Sequence, residues 1–403
     1  MAVATFLEEK GLKTLAVLPK PLKEAGITFA NKFRLMKVNR LKTPIYITLY
    51  VTNYCNAKCD HCFYWEELNT GKPELSLDEM KQIAKSLKHP LRTLMLTGGE
   101  PFLRKDLADI IIAFHKINKT RRITMPTNGI NTERIVSTVE TVLKECPDLY
   151  LHIQVSIDGP KEMHDKFRRV PGCYDKATAT LRRLSEIKKT HSNFDCSLLT
   201  TVCTANLELL PDFVKKIKSE FPDAMHKFNI LRGSHLGTYN VPADVASTLD
   251  ADLQKVDSVS PEKLEELFKN ISGDLSLHRD QIWQNFQKLK WQYSIQMLKT
   301  EKRIYDCTAG RTFGVIYPNG GVSVCEPTKQ FANLHDFGMD FAELWKSPSA
   351  NFMRAKTQGC NCIHPCNMLD SMGYDTKTII KATEVDVSKS SFDSLACEEP
   401  VVN

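Results

Sequence analysis

No stretch of the 403-residue chain approaches eighteen consecutive apolar residues, so no segment reads as a helix that crosses a membrane. The opening residues, MAVATFLEEKGLKTLAVLPKPLKEAG, carry acids and prolines where a secretory signal needs an unbroken apolar core. These two absences lead to the expectation of a cytoplasmic protein. Internal repeats and low-complexity blocks are missing as well, which excludes a solenoid. Outside one segment, excess charge of either sign is missing too. Residues 1–43 hold nine Lys/Arg (Lys10, Lys13, Lys20, Lys23, Lys32, Arg34, Lys37, Arg40 and Lys42) against Glu8, Glu9 and Glu24, which accounts for the whole formal charge of +6. No nucleic-acid partner is expected. The basic arm reads either as a solvated, partly helical surface or as a docking arm for an acidic peptide or an anionic lipid surface. Pro19 and Pro21 are expected to interrupt a long amphipathic helix there, which weakens the membrane version.

What the chain does have is thirteen cysteines. A reducing compartment keeps thiols free, so they do not read as a disulfide framework. Eight fall in two groups: Cys55, Cys59 and Cys62, then Cys307, Cys325, Cys360, Cys362 and Cys366. Cys196 and Cys203 lie in an apolar run and read as small buried hydrophobes. The first group, CNAKCDHC, is one ligand short of the four cysteines that close a zinc or iron–sulfur site. His61 sits inside the motif, but between Asp60 and Cys62 it cannot easily reach a metal that Cys59 and Cys62 already hold. A structural zinc site remains the competing reading; the C-x3-C-x2-C spacing with no second short-spaced pair nearby favours an open cluster.

From residue 44 to about 235, short apolar runs alternate with amphipathic stretches. Candidate strands are 45–52, 92–98, 121–128, 149–158, 194–203 and 226–232, with helical segments such as 76–88 and 107–119 between them. Strand–helix–strand at this spacing makes parallel βαβ units, and six of them suit an open, partial (β/α)6 TIM-like barrel. Chemistry in such folds gathers at the carboxyl ends of the strands, and CNAKCDHC follows the first strand directly. Residues 236–305 turn helical, with a Trp and Phe stripe that reads as core. A small Cys-rich module over 306–370 opens with GVIYPNGGVSVC, a hairpin signal. The tail, 371–403, becomes polar and aperiodic from about 384.

VTNYCNAKCDHCFYW followed by LTGGEPFL resembles the radical S-adenosylmethionine (radical SAM) superfamily, an α/β fold. The resemblance implies that Cys55, Cys59 and Cys62 hold a 4Fe–4S cluster whose fourth iron takes the amine and carboxylate of exchangeable SAM. It further implies an electron donor such as flavodoxin or ferredoxin. GGEP (Gly98, Gly99, Glu100, Pro101), TNG with Asn128, and SIDG with Ser156 and Asp158 match the superfamily's cofactor-binding strand ends. The glycines would let backbone approach the ligand, Glu100 suits an ammonium group, and Ser156 and Asp158 would reach the ribose or methionyl carboxylate. His164 and Arg168 continue the pattern or are surface helix; both readings stand. Arg232 points into the expected mouth and would pair with a carboxylate or phosphate of SAM or substrate.

Cys307, the hairpin and Cys325 look like the opening of the SPASM and Twitch modules that hold auxiliary 4Fe–4S clusters. Cys307, Cys325, Cys362 and Cys366 are the preferred ligands, with Cys360 a replacement for Cys362 or a spectator; a zinc knuckle is the other reading. The shortened second group argues for one auxiliary cluster. The implied activity is reductive SAM cleavage to a 5′-deoxyadenosyl radical, then hydrogen abstraction with an oxidative outcome on a peptide. The alternatives are dehydrogenation or epimerisation of a sugar, aminocyclitol or lipid-linked metabolite and, in another class, a non-catalytic iron–sulfur or zinc scaffold. No residue is assigned as the catalytic acid or base.

Overall fold

The computed structural model describes residues 10–232, 240–247, 257–275 and 281–384, with the side chains of Lys10, Cys366 and Glu384 outside that set. The tail beyond 384, with Cys397, also lies outside it. β-Branched and aromatic runs bounded by polar turns form six parallel strands: β1 (Tyr46–Thr52), β2 (Thr93–Gly98), β3 (Arg122–Thr127), β4 (Tyr150–Ser156), β5 (Phe194–Val202) and β6 (Met225–Ile230). They lie in the order β6-β5-β4-β3-β2-β1, and each return passes through a helix. Every residue of β1 is buried, as expected of a parallel strand covered on both faces. The open six-strand barrel expected from the sequence is present.

Local signals explain where the intervening helices start. Ser76 and Glu79 form a reciprocal cap: the Glu79 amide donates to Ser76 Oγ at 3.3 Å, and the Ser76 amide donates to Glu79 Oε2 at 2.7 Å. The helix Leu77–Ser86 follows directly. The helix Lys20–Val38 runs nineteen residues without a break, which corrects the expected interruption. Pro19 is its cap and Pro21 sits in the first turn, where a missing N–H costs the helix no hydrogen bond.

The C-terminal hairpin is not a free-standing knuckle. β7 (Phe313–Ile316) pairs parallel with β1 from Tyr46↔Phe313 to Leu49↔Ile316, then β8 (Gly321–Ser323) and β9 (Ala332–Asn333) continue antiparallel. The result is one nine-stranded sheet. Asn319 and Gly320 make the turn between β7 and β8, with Gly320 at φ +82°. The helices Pro261–Ile271 and Gln281–Thr300 pack beside β6. Trp291 stacks on Phe268 at 4.4 Å, and Lys290 Nζ donates to the Phe228 carbonyl at 3.0 Å. The Trp/Phe stripe is therefore core, as read from the sequence, and Cys196 and Cys203 are fully buried.

One core group gives the fold a measurable acid sensitivity. His226 lies buried on β6, stacked on Phe228 at 4.2 Å. Thr200 spends its only proton on the Ile157 carbonyl at 2.6 Å, so His226 Nε2 donates to Thr200 Oγ1 at 2.8 Å and the ring is neutral. Burial lowers its pKa to about 3. Neutral in both states above about pH 6.5, it stabilises there; the unfolded chain takes up the proton first as pH falls toward 3. Urea midpoints at pH 7 and pH 5 should show His226→Phe losing on the order of 2 kcal/mol less than the parent over that interval.

Candidate functional site

CNAKCDHC leaves the end of β1 and is held from both sides. Asn69 receives the Cys55 amide at 3.1 Å and returns a bond to the Cys55 carbonyl at 3.1 Å. On the other side, the Lys58 and Asp60 amides donate to the carbonyls of Arg168 and Phe167, at the end of the helix Lys161–Arg168. The three thiols share one field. Burial pushes Cys55 and Cys62 up to about 12 and raises Cys59, and each feels a neighbouring cysteine or the charges of Arg168 and Asp158. Such thiols stay protonated until a metal takes their place in the electrostatic balance.

Gly98 and Gly99 also have a task within the chain itself. A Cβ on Gly98 would stand 2.2 Å from the Thr52 carbonyl, and one on Gly99 would stand 2.1 Å from the Tyr54 carbonyl. The pair lets the end of β2 press against the loop that carries Cys55, with the Gly99 and Glu100 amides donating to Thr52 and Tyr54 at 2.8 Å each. Glu100 is buried with three internal donors: Thr127 Oγ1 and the Asn128 amide at 2.8 Å, and the Phe102 amide at 3.2 Å. Burial raises its pKa against those bonds. It ties the end of β2 to the end of β3, where the backbone ladder stops after Met95↔Thr124. Asn128 reaches the cysteine loop, its Nδ2 donating to Asn56 Oδ1 at 2.7 Å.

Asp158, expected to face the cofactor, is sealed. It is fully buried, with Arg168 Nη2 at 2.7 Å and Nε at 2.8 Å, His164 Nδ1 at 3.6 Å and the Thr201 amide at 3.0 Å. Burial alone would raise its pKa; the Arg168 charge and the His164 contact outweigh it and hold the carboxyl well below the ordinary range. Surface helix is excluded for His164 and Arg168, both buried. Arg168 also places Nη1 3.7 Å from Cys59 Sγ, so it joins the pocket to the first cysteine group. Ser156 is buried at the end of β4. His61 stacks on Phe167 at 4.6 Å and 7°, and burial lowers its pKa to about 4.

Arg232, expected to meet a ligand, also meets the protein. Its Nη2 lies 2.8 Å from Glu326 Oε2, and its guanidinium lies 4.0 Å over the Phe63 ring. Glu326 also accepts from Tyr50 Oη and contacts His364 Nε2. Burial pushes its pKa up, but Arg232 and His364 pull harder and hold it well below the carboxylate range. Sequence reasoning passed over Glu326, although its place directly after Cys325 was the available signal.

The second cysteine group comes together as well. The Cys362 thiol is pushed up to about 12, first by its bond with Cys325 and then by burial, against the bond with Cys360, which lowers it. Cys325 feels Cys307 and Cys360. Arg303 Nη2 donates to Cys360 Sγ at 3.1 Å, and Asn367 Nδ2 to Cys307 at 3.2 Å and Cys325 at 3.7 Å. Neither Arg303 nor Asn367 was foreseen. Cys360 stands within the set rather than apart from it; the Cys366 side chain lies outside the described residues. Between the two groups runs an aromatic layer, with Tyr50 at 4.9 Å from Tyr64 and 5.1 Å from Tyr317. Cys62, Cys307 and Cys325 pack against it.

Among the described residues no three His, Cys, Asp or Glu side chains converge on one point as ligands of a single ion. A cubane asks for something else, one thiolate per iron spread over a cube's corners. At the first group, three clustered thiols with His61 stacked away and Asp158 sealed by Arg168 fit it, and they leave one corner without a protein ligand. At the second, four thiols with donors aimed at sulfur fit a closed site.

Two substitutions check this geometry. Gly99→Ala should cost about 1–3 kcal/mol in urea titration and reduce iron uptake at the first site, because the new methyl must displace the Cys55 loop. Arg168→Met leaves Asp158 buried without its cation and should cost roughly 3–5 kcal/mol.

Residues 49–217 match the Radical SAM superfamily. Among curated relatives, the Fe-coproporphyrin III synthase of Methanosarcina barkeri is 32% identical over 153 residues, covering 38% of this chain and 36% of the relative. The AdoMet-dependent heme synthase of Oleidesulfovibrio alaskensis is 28% identical over 201 residues, covering 48% of each. The matches thus span about half the relatives' length or less. Among solved structures, Streptococcus suis SuiB bound to its precursor peptide SuiA superposes with a TM-score of 0.55 at 17% identity, over 84% of this chain and 72% of that one, a likeness of fold. With the open six-strand barrel and the cysteine loop at the end of β1, the match identifies residues 49–217 as a domain of the radical SAM superfamily.

Proposed function

We propose that this enzyme reductively cleaves SAM at the Cys55, Cys59 and Cys62 site, abstracts hydrogen from a substrate C–H bond, and passes an electron to an auxiliary cluster in an oxidative modification of a peptide. The observation that carries the reading is the clamped trio of half-buried thiols, beside which the His61 imidazole and the Asp158 carboxylate are both engaged elsewhere. A 4Fe–4S cluster held there would supply the electron that breaks the SAM sulfonium bond.

The chain's own groups have separable roles. Arg168 sets a fixed positive charge beside Cys59, which favours added negative charge at the sulfurs and makes reduction easier. Glu100 and Asn128 hold the ends of β2 and β3 against the cysteine loop, and Ser156 remains the proposed hydroxyl contact for SAM. Cys307 and Cys325 would hold the auxiliary cluster, with the remaining ligands drawn from Cys360, Cys362 and Cys366. Arg303 and Asn367 donate toward three of these sulfurs, which stabilises the more reduced state and suits an electron acceptor. A peptide substrate is supported by the fold shared with SuiB, which was crystallised with its precursor peptide. A lipid-linked metabolite is the second reading, favoured by the exposed apolar face of the helix Lys20–Val38.

Anaerobic reconstitution tests both sites. About eight irons per chain are expected, falling to about four in Cys55→Ala and in Cys360→Ala. With SAM and a strong reductant, the parent and Cys360→Ala should form 5′-deoxyadenosine and Cys55→Ala should not. Fully loaded parent protein that forms none would sink the reading.

A further inference from the structure

We propose that the outer face of the helix Lys20–Val38 docks this enzyme on an anionic membrane surface. The helix has two stripes. One is buried: Ile27, Ala30 and Val38, with Asn31 and Arg34 among them. Asn31 Nδ2 donates to the Tyr374 carbonyl and to Thr376 Oγ1 at 2.8 Å each, and the Arg34 guanidinium lies 4.1 Å over the Tyr374 ring. This anchoring leaves the second stripe outward. Leu22, Phe29, Phe33 and Met36 are spaced seven, four and three residues apart, hence on one side of the helix, and all are exposed, Phe29 by 78%. Val17 and Leu18 extend the patch at the helix entrance. Of the ten exposed large hydrophobics among the described residues, six fall in this stretch, so the face is a concentration rather than scatter.

The charge pattern names the occupant. Exposed Lys32 and Lys37 border the stripe on its two sides, with Lys37 Nζ 4.8 Å from the centre of the Phe33 ring. Exposed Lys13, Lys20, Arg40 and Lys42 lie before and after it. The only acid in the helix, Glu24, faces Lys20 at 3.8 Å. Lysine stems can lie along apolar surface while their ammonium groups reach lipid phosphates. A peptide partner is less well matched, because peptides seat in grooves, whereas this is the convex side of one helix. A bilayer interface is flat and accepts a convex apolar stripe. Tyr374 also receives Arg92, at the head of β2, at 3.2 Å. The helix therefore lies toward the sheet end opposite the cysteine loop, and docking leaves the barrel mouth open.

Sedimentation of the reconstituted full chain with vesicles of phosphatidylglycerol and phosphatidylcholine, against phosphatidylcholine alone, tests the proposal. Binding to the anionic vesicles should fall as salt rises. It should weaken at least about tenfold in Phe29→Ser/Phe33→Ser and in Lys32→Glu/Lys37→Glu. Both pairs are exposed and leave the buried stripe intact, so 5′-deoxyadenosine formation from SAM should be unchanged; vesicle binding is read whether or not that activity is found. The proposal is overturned if the parent binds neither vesicle, or if both double variants bind as the parent does. It is also overturned if the Phe29→Ser/Phe33→Ser pair dissociates a dimer, or abolishes binding of an acidic peptide, while vesicles are never bound.

Discussion

A buried charge pair governs the arrangement of the site. Asp158 and Arg168 are both out of water, and their desolvation is offset by two close contacts between them and by further hydrogen-bond partners. Asp158 takes the Thr201 amide and the His164 contact; Arg168 extends past it to Cys59. One guanidinium thus fixes the helix Lys161–Arg168 to the strand ends, and that helix offers the carbonyls that hold the cysteine loop. If the pair moved, the loop would lose its partner on one side and its nearest positive charge together.

The other end of the site depends on β1 having two parallel neighbours. β2 brings the Gly98–Gly99 turn under the loop, and β7 brings the hairpin leading to Cys325. Glu326 then binds Arg232, which follows β6, and Tyr50, which belongs to β1. Three distant parts of the sheet meet on one carboxylate, whose negative charge is held by Arg232 and His364. The tyrosine layer lies between the two cysteine groups, with Cys62, Cys307 and Cys325 packed against it.

The barrel was legible because parallel strands buried on both faces are nearly continuous apolar runs, and each of the six sits within a residue or two of its observed bounds. The cysteine loop stood out by its spacing together with the GGEP and SIDG segments that follow it. Partners were not. Asp158 and Arg232 carry charges, and charge at a strand end reads as ligand contact until the opposite charge is located; their partners, Arg168 and Glu326, lie 10 and 94 residues away. Gly98 and Gly99 were recognised as places of close approach, but only the fold shows that the approaching atoms are carbonyls of the chain itself. Pro21 misled because its effect depends on whether it falls inside a helix or in its first turn.

The pairing of β7 with β1 has a consequence for how the two cysteine groups can vary in separation. The first group and Cys325 are connected through a hydrogen-bonded ladder, not through the chain between Thr300 and Tyr305. Lengthening that connection would add slack without moving Cys325. Sliding the ladder by one residue would shift it about 3.3 Å and also turn Phe313 and Val315 to the wrong face. The separation is therefore quantised, and the neighbouring step is closed to it.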